Sequence, residues 1–97
     1  MANRSFLVAY DIADPRRLRR VFRLMKGYGE RWQKSVFYCN LGPAKRQRME
    51  TRLREIIHHV HDQVLIVDMG ANARAARESC QSLGRPLPSG LPRILVI

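Results

Sequence analysis

Ninety-seven residues are enough for one domain with a modest core, and 45% hydrophobic content excludes a disordered basic tail. Eighteen Lys and Arg against eight Asp and Glu leave a net charge of +10. No apolar run approaches the roughly 20 residues of a membrane span, and the start of the chain lacks the apolar core of a signal peptide. Two cysteines, Cys39 and Cys80, without a CxxC pair, predict reduced thiols in a cytoplasmic protein.

Arg4–Asp11 reads as a strand with Phe6, Val8 and Tyr10 on one face and Leu7 and Ala9 on the other. Apolar residues on both faces predict a central strand. Asp14 followed by Pro15 is a helix start, a capping side chain before a proline in the first turn. Leu18, Val21, Phe22, Met25 and Tyr28 then form an apolar stripe, and Arg16, Arg19, Arg20, Arg23 and Lys26 fall on the opposite face. Gly27 and Gly29 end the helix.

Arg31–Leu41 is aromatic and β-branched and reads as strand, divided near Lys34. Gly42-Pro43 opens a second helix with Met49, Leu53, Ile56, Ile57 and Val60 as its stripe. Gln63–Met69 is a further strand. Residues 70–92 are rich in Gly and Pro, which predicts a turn, a short helix around Ala73–Ser82 and loop. Arg93–Ile97 reads as a final edge strand.

The order β-α-β-β-α-β predicts an α+β fold, the ferredoxin-like sandwich of two helices on one face of an antiparallel sheet. One domain spans 1–97, with its core at 4–70 and a C-terminal extension at 71–97. The second sheet face is left uncovered although its residues are apolar, and the last strand needs an edge. A homodimer answers both needs.

Charge is unevenly placed. Fourteen of the eighteen bases but only four acids lie in residues 1–54, so the whole excess falls there. Fifteen of the bases are Arg, whose planar fork grips phosphate with two hydrogen bonds. Rows of such cations along helix faces point to a nucleic-acid backbone, with Lys45, Arg48 and Arg52 as a second row. His58, His59 and His61 lack the i, i+4 spacing of a helical metal pair and are read as structural.

Two blocks carry a resemblance. Tyr10-Asp11-Ile12 closes the first strand, and Tyr28-Gly29-Glu30-Arg31-Trp32-Gln33-Lys34-Ser35-Val36-Phe37 follows the basic helix. Together with Leu65–Gly70 and Ser82–Pro86, they resemble the CRISPR-associated protein 2 family, the small core partner of the CRISPR integrase in spacer acquisition. The resemblance implies a homodimer that bridges the integrase and binds duplex DNA. It equally implies a metal-dependent endonuclease acting on RNA or DNA, with single-stranded RNA as one substrate. It makes Asp11 the catalytic and metal-binding residue, holding a weakly bound Mg²⁺ on the dimer axis with its copy in the partner. Tyr10, Arg17, Arg20, Arg31 and Phe37 match positions linked to nucleic-acid contact or nuclease activity, and the chain's own pattern adds Arg16, Arg19 and Arg23. Tyr38 stands where many members carry Glu, which removes a carboxylate. A toxin-type ribonuclease on the same fold is the more distant alternative.

Overall fold

The computed structural model describes residues 2–88. Strand β1 (Arg4–Asp11) alternates as its sequence demands, burying Phe6, Val8 and Tyr10 on one side. Helix α1 (Pro15–Lys26) starts where Asp14 accepts hydrogen bonds from the backbone N–H groups of Arg16 and Arg17, both at 3.0 Å. It buries Val21 and Met25, while Leu18 stays 38% exposed at the margin of the stripe.

Strands β2 (Glu30–Gln33) and β3 (Val36–Leu41) form a hairpin through Lys34 and Ser35, with an irregular register between Arg31 and Gln33. Helix α2 (Pro43–Ile56) buries Met49, Leu53 and Ile56. It ends four residues before Val60, which is 80% exposed rather than part of the stripe. The chain turns extended at Ile57, and the Asp62 carboxylate holds the next backbone N–H, that of His58, at 2.7 Å.

Strand β4 (Gln63–Asp68) completes an antiparallel sheet of order β2-β3-β1-β4, with β1 central. This is the ferredoxin-like arrangement. Both long helices pack on one face, over a core of Phe6, Val8, Tyr10, Val21, Met25, Phe37, Cys39, Met49 and Leu53. Burial pushes the Cys39 thiol up to about 12, so it behaves as a small core hydrophobe.

The second face differs from the sequence expectation. Helix α3 (Ala73–Glu78), capped by Asn72, covers half of it. Ala76 packs on Trp32 and Tyr38, whose rings stack at 4.9 Å with an interplanar angle of 7°. Arg77 clamps the contact, pairing with Glu30 at 2.6 Å and lying over both rings. Among the described residues no element covers the β1–β4 half, and Leu65 and Val67 are each about half exposed opposite Ala9 and Leu7. The Arg93–Ile97 strand lies outside the described residues. Among those residues no helix is long and apolar enough to cross a membrane.

Gly29 is sterically required. A Cβ there would stand 2.3 Å from the Tyr38 carbonyl oxygen and 2.6 Å from Cys39 Sγ. Gly29→Ala is expected to cost about 1–3 kcal/mol through overpacking against a central hairpin. Urea unfolding checks this, and an unchanged midpoint would contradict it.

Candidate nucleic-acid interface

Ion pairing divides the cations into two populations. Arg46 and Arg54 pair with Glu50, Arg52 with Glu55, Arg74 with Glu78, and Arg4 with Asp68. On α1 the exposed Arg16, Arg19, Arg20, Arg23 and Lys26 have no carboxylate partner among the described residues. The cause is in the sequence, because PRRLRRVFRLMK contains no acid with which an i, i+4 pair could form. Stability alone would not choose this arrangement. Like charges at these spacings cost about 0.2–0.5 kcal/mol per pair, and cations near a helix N-terminus oppose its dipole. Such a surface is an electrostatic asset only to an anionic partner.

The cationic band continues from α1 to the sheet edge. Phe22 bridges the gap, with Lys26 Nζ 5.4 Å and the Arg31 guanidinium carbon 4.9 Å from its ring centre. Arg31 shares the helix side of the sheet with Phe37, its partner in the β2–β3 register. The second row on α2 is weaker than expected, since Arg52 leans on Glu55 and leaves only Lys45 and Arg48 of that row without a carboxylate partner among the described residues.

Three residues assigned to nucleic acid by resemblance lie elsewhere. Phe37 is fully buried and Tyr10 is 6% exposed, so neither offers a ring for a base to stack on. Their rings stack on each other at 6.3 Å, and the Tyr10 hydroxyl donates to the Lys34 carbonyl at 3.4 Å. Burial holds that hydroxyl above its ordinary value, against the pull of the Arg31 charge. Arg17 is turned inward onto Asp62, donating from Nε at 2.7 Å and Nη2 at 3.1 Å. Among the described residues it is therefore the one arginine of α1 with a carboxylate of its own.

Asp62 went unnoticed in the sequence because its partner is 45 residues away. Its buried carboxylate also accepts the backbone N–H of Ala13 at 2.9 Å, tying the β1–α1 turn to the α2–β4 turn. The Arg17 hydrogen bond, followed by the two backbone N–H groups, holds its pKa far below the ordinary 3.8. A depressed carboxylate pKa adds stability that is complete above the unfolded value and disappears as pH falls towards the folded one. Asp62→Asn is expected to lower the melting temperature by several degrees at pH 7 and by progressively less below about pH 4. Thermal melts across that range check it, and a constant difference between the two proteins would contradict it.

Asp11 ends β1 opposite Gln63, exposed, and its side chain has no hydrogen bond or ion pair among the described residues. It does not cap the following turn, a task divided between Asp14 and Asp62. The described residues contain no group of three potential ligands for a metal ion. The histidines form no such group either. His58 Nδ1 accepts from the N–H groups of Val60 and His61 at 3.2 Å, and its ring stacks on His61 at 4.4 Å. His58 and His61 shape the turn.

The family model for CRISPR associated protein Cas2 matches residues 4–77. The chain belongs to the Cas2 family. It is 44% identical over 84 residues to a CRISPR-associated endoribonuclease Cas2 of Rhodospirillum rubrum, covering 87% of this chain and 81% of that one. A CRISPR-associated endoribonuclease Cas2 of Geobacter sulfurreducens is 36% identical over 92 residues, covering 95% and 96%. The crystal structure of Streptococcus pyogenes Cas2 superposes with a TM-score of 0.72 at 32% identity, over 82% of this chain and 99% of that one. Within this Cas2 frame, Asp11 and the α1 cations both fall inside the matched span.

Proposed function

We propose that the chain is a CRISPR adaptation protein that works in the cytoplasm as a homodimer, holds duplex DNA on α1 and bridges the CRISPR integrase during spacer acquisition. The observation that carries this reading is the unpaired cationic face of α1, kept at a cost in helix stability. Guanidinium groups set along one helix face suit a phosphate backbone and carry no sequence code. The dimer is supported by the β1–β4 half of the second face, where Leu65 and Val67 lie half exposed on the edge strand β4.

A second reading rests on Asp11, exposed and uncommitted at the end of β1. One carboxylate is short of a metal site, but two copies fit the one or two carboxylates, completed by waters, that Mg²⁺ accepts. When bound, the ion would lower the pKa of a water and offset phosphate charge. Asp11 would supply a carboxylate oxygen, and Arg31 and the α1 arginines would hold the phosphodiester in place. That makes the protein a metal-dependent endonuclease, in keeping with the endoribonuclease names of its relatives.

Spacer acquisition in cells separates the two roles. Asp11→Ala is expected to leave acquisition intact, while joint replacement of Arg16, Arg19, Arg20 and Arg23 by Ala abolishes it. Loss with Asp11→Ala instead would make the endonuclease the working role.

A further inference from the structure

A groove of about 420 Å³ opens along the outer edge of β2, between Arg31–Lys34 and the segment Arg85–Pro88. Its charge has one sign. Among the described residues Arg31, Lys34 and Arg85 line it, no carboxylate does, and all three are exposed without an acidic partner. The nearby Glu30 is spent on Trp32 Nε1 at 2.9 Å and Arg77 Nη1 at 2.6 Å. Trp32 also lines the groove, but its ring is stacked by Tyr38 and covered by Arg77, so it offers little for a base to stack on. The groove is thus built for phosphate charge rather than for reading bases.

Its size narrows the occupant. The volume lies in the range of about 300–1,000 Å³ that holds a small-molecule ligand, whereas a duplex presents a major groove alone about 12 Å wide. Its position narrows it further. Arg31 belongs both to this groove and to the band around Phe22 that continues from α1. The Lys34–Ser35 turn is tied to the end of β1, since Tyr10 N–H donates to the Ser35 carbonyl at 3.0 Å and the Tyr10 hydroxyl to the Lys34 carbonyl. The groove therefore opens at the same end of the sheet as Asp11 and leads on from the cationic helix.

We propose that this groove holds the phosphate backbone of an unpaired nucleic-acid strand, roughly one or two nucleotides long, running on from a duplex bound along α1. The proposal rests on the reading of α1 as the duplex surface, and its test keeps the two apart. Fluorescence anisotropy would compare a blunt DNA duplex, the same duplex with a short unpaired tail, and the free tail, each against the full-length protein. The tail is expected to strengthen binding by roughly tenfold at moderate salt. The double variant Lys34→Ala, Arg85→Ala should remove that gain and leave blunt-duplex affinity as in the wild type. Equal affinities for blunt and tailed duplex, or a double variant that weakens both alike, would overturn it. Displacement of the tail by polyglutamate as effectively as by an oligonucleotide would also overturn it, in favour of an acidic peptide. If the blunt duplex fails to bind but the free tail binds and is lost in the double variant, the duplex reading falls and the groove stands.

Discussion

Replacing Arg16, Arg19, Arg20 and Arg23 together by Ala is expected to weaken duplex binding on the order of 100-fold near physiological salt. The dependence of log affinity on log salt should flatten by about 3.6, the contribution of four phosphate contacts. Damage to the fold does not account for such a loss. All four side chains are exposed and none pairs with a carboxylate among the described residues. Alanine is the best helix former, and the exchange removes repulsion at i, i+3 and i, i+4, so thermal stability should hold or rise. Anisotropy titrations over a salt series, beside a thermal melt, measure both halves. A variant that binds with the wild-type slope would remove α1 from the interface. A matched Arg46→Ala, Arg54→Ala variant should lose less, because the Glu50 carboxylate they share already offsets half of their combined charge.

Phe37→Ala is expected to act in the opposite way, through stability. The ring is fully buried, 6.3 Å from the Tyr10 ring and 5.9 Å from that of Phe22, at the centre of the helix-side core. Truncation should cost about 3–5 kcal/mol. Against a total of about 5–15 kcal/mol for a domain, that is enough to unfold part of the population at growth temperature. The melting temperature should fall by roughly 15 °C or more. Nucleic-acid binding should be lost in step with folding and return on cooling, while Phe37→Leu keeps most of both. A Phe37→Ala protein that melts like the wild type yet binds poorly would restore the ring to the interface.

Most of the fold was legible locally. The Asp14-Pro15 start of α1, the alternation of β1 and the stripes of α1 and α2 depend on neighbours within a few residues, and the structure keeps them, except that α2 stops at Ile56 and leaves Val60 outside its stripe. The alternation even opposed the resemblance, since it set Tyr10 beside Phe6 and Val8 on the core face. What escaped depends on distant partners. Arg17 meets Asp62 across 45 residues, and nothing in the run Arg16–Arg20 marks the second arginine as the one turned inward. The Ala-rich α3 has almost no apolar stripe of its own. It is held by Arg77 on Glu30, 47 residues earlier, and on two aromatic rings that the hairpin brings together. The candidate site was half legible for the same reason. The acid-free composition of α1 announced the cationic face, whereas the neutralisation of Arg52 and Arg54 emerged only from how Glu50 and Glu55 are spent.

The central claim is that α1 offers unpaired guanidinium groups to a phosphate backbone. Its most direct test is the salt dependence of wild-type binding to two duplexes of unrelated sequence. The α1 cations predict equal affinity for both and a slope of about −4 or steeper in log affinity against log salt. A slope near zero, or a strong preference for one sequence, would contradict it.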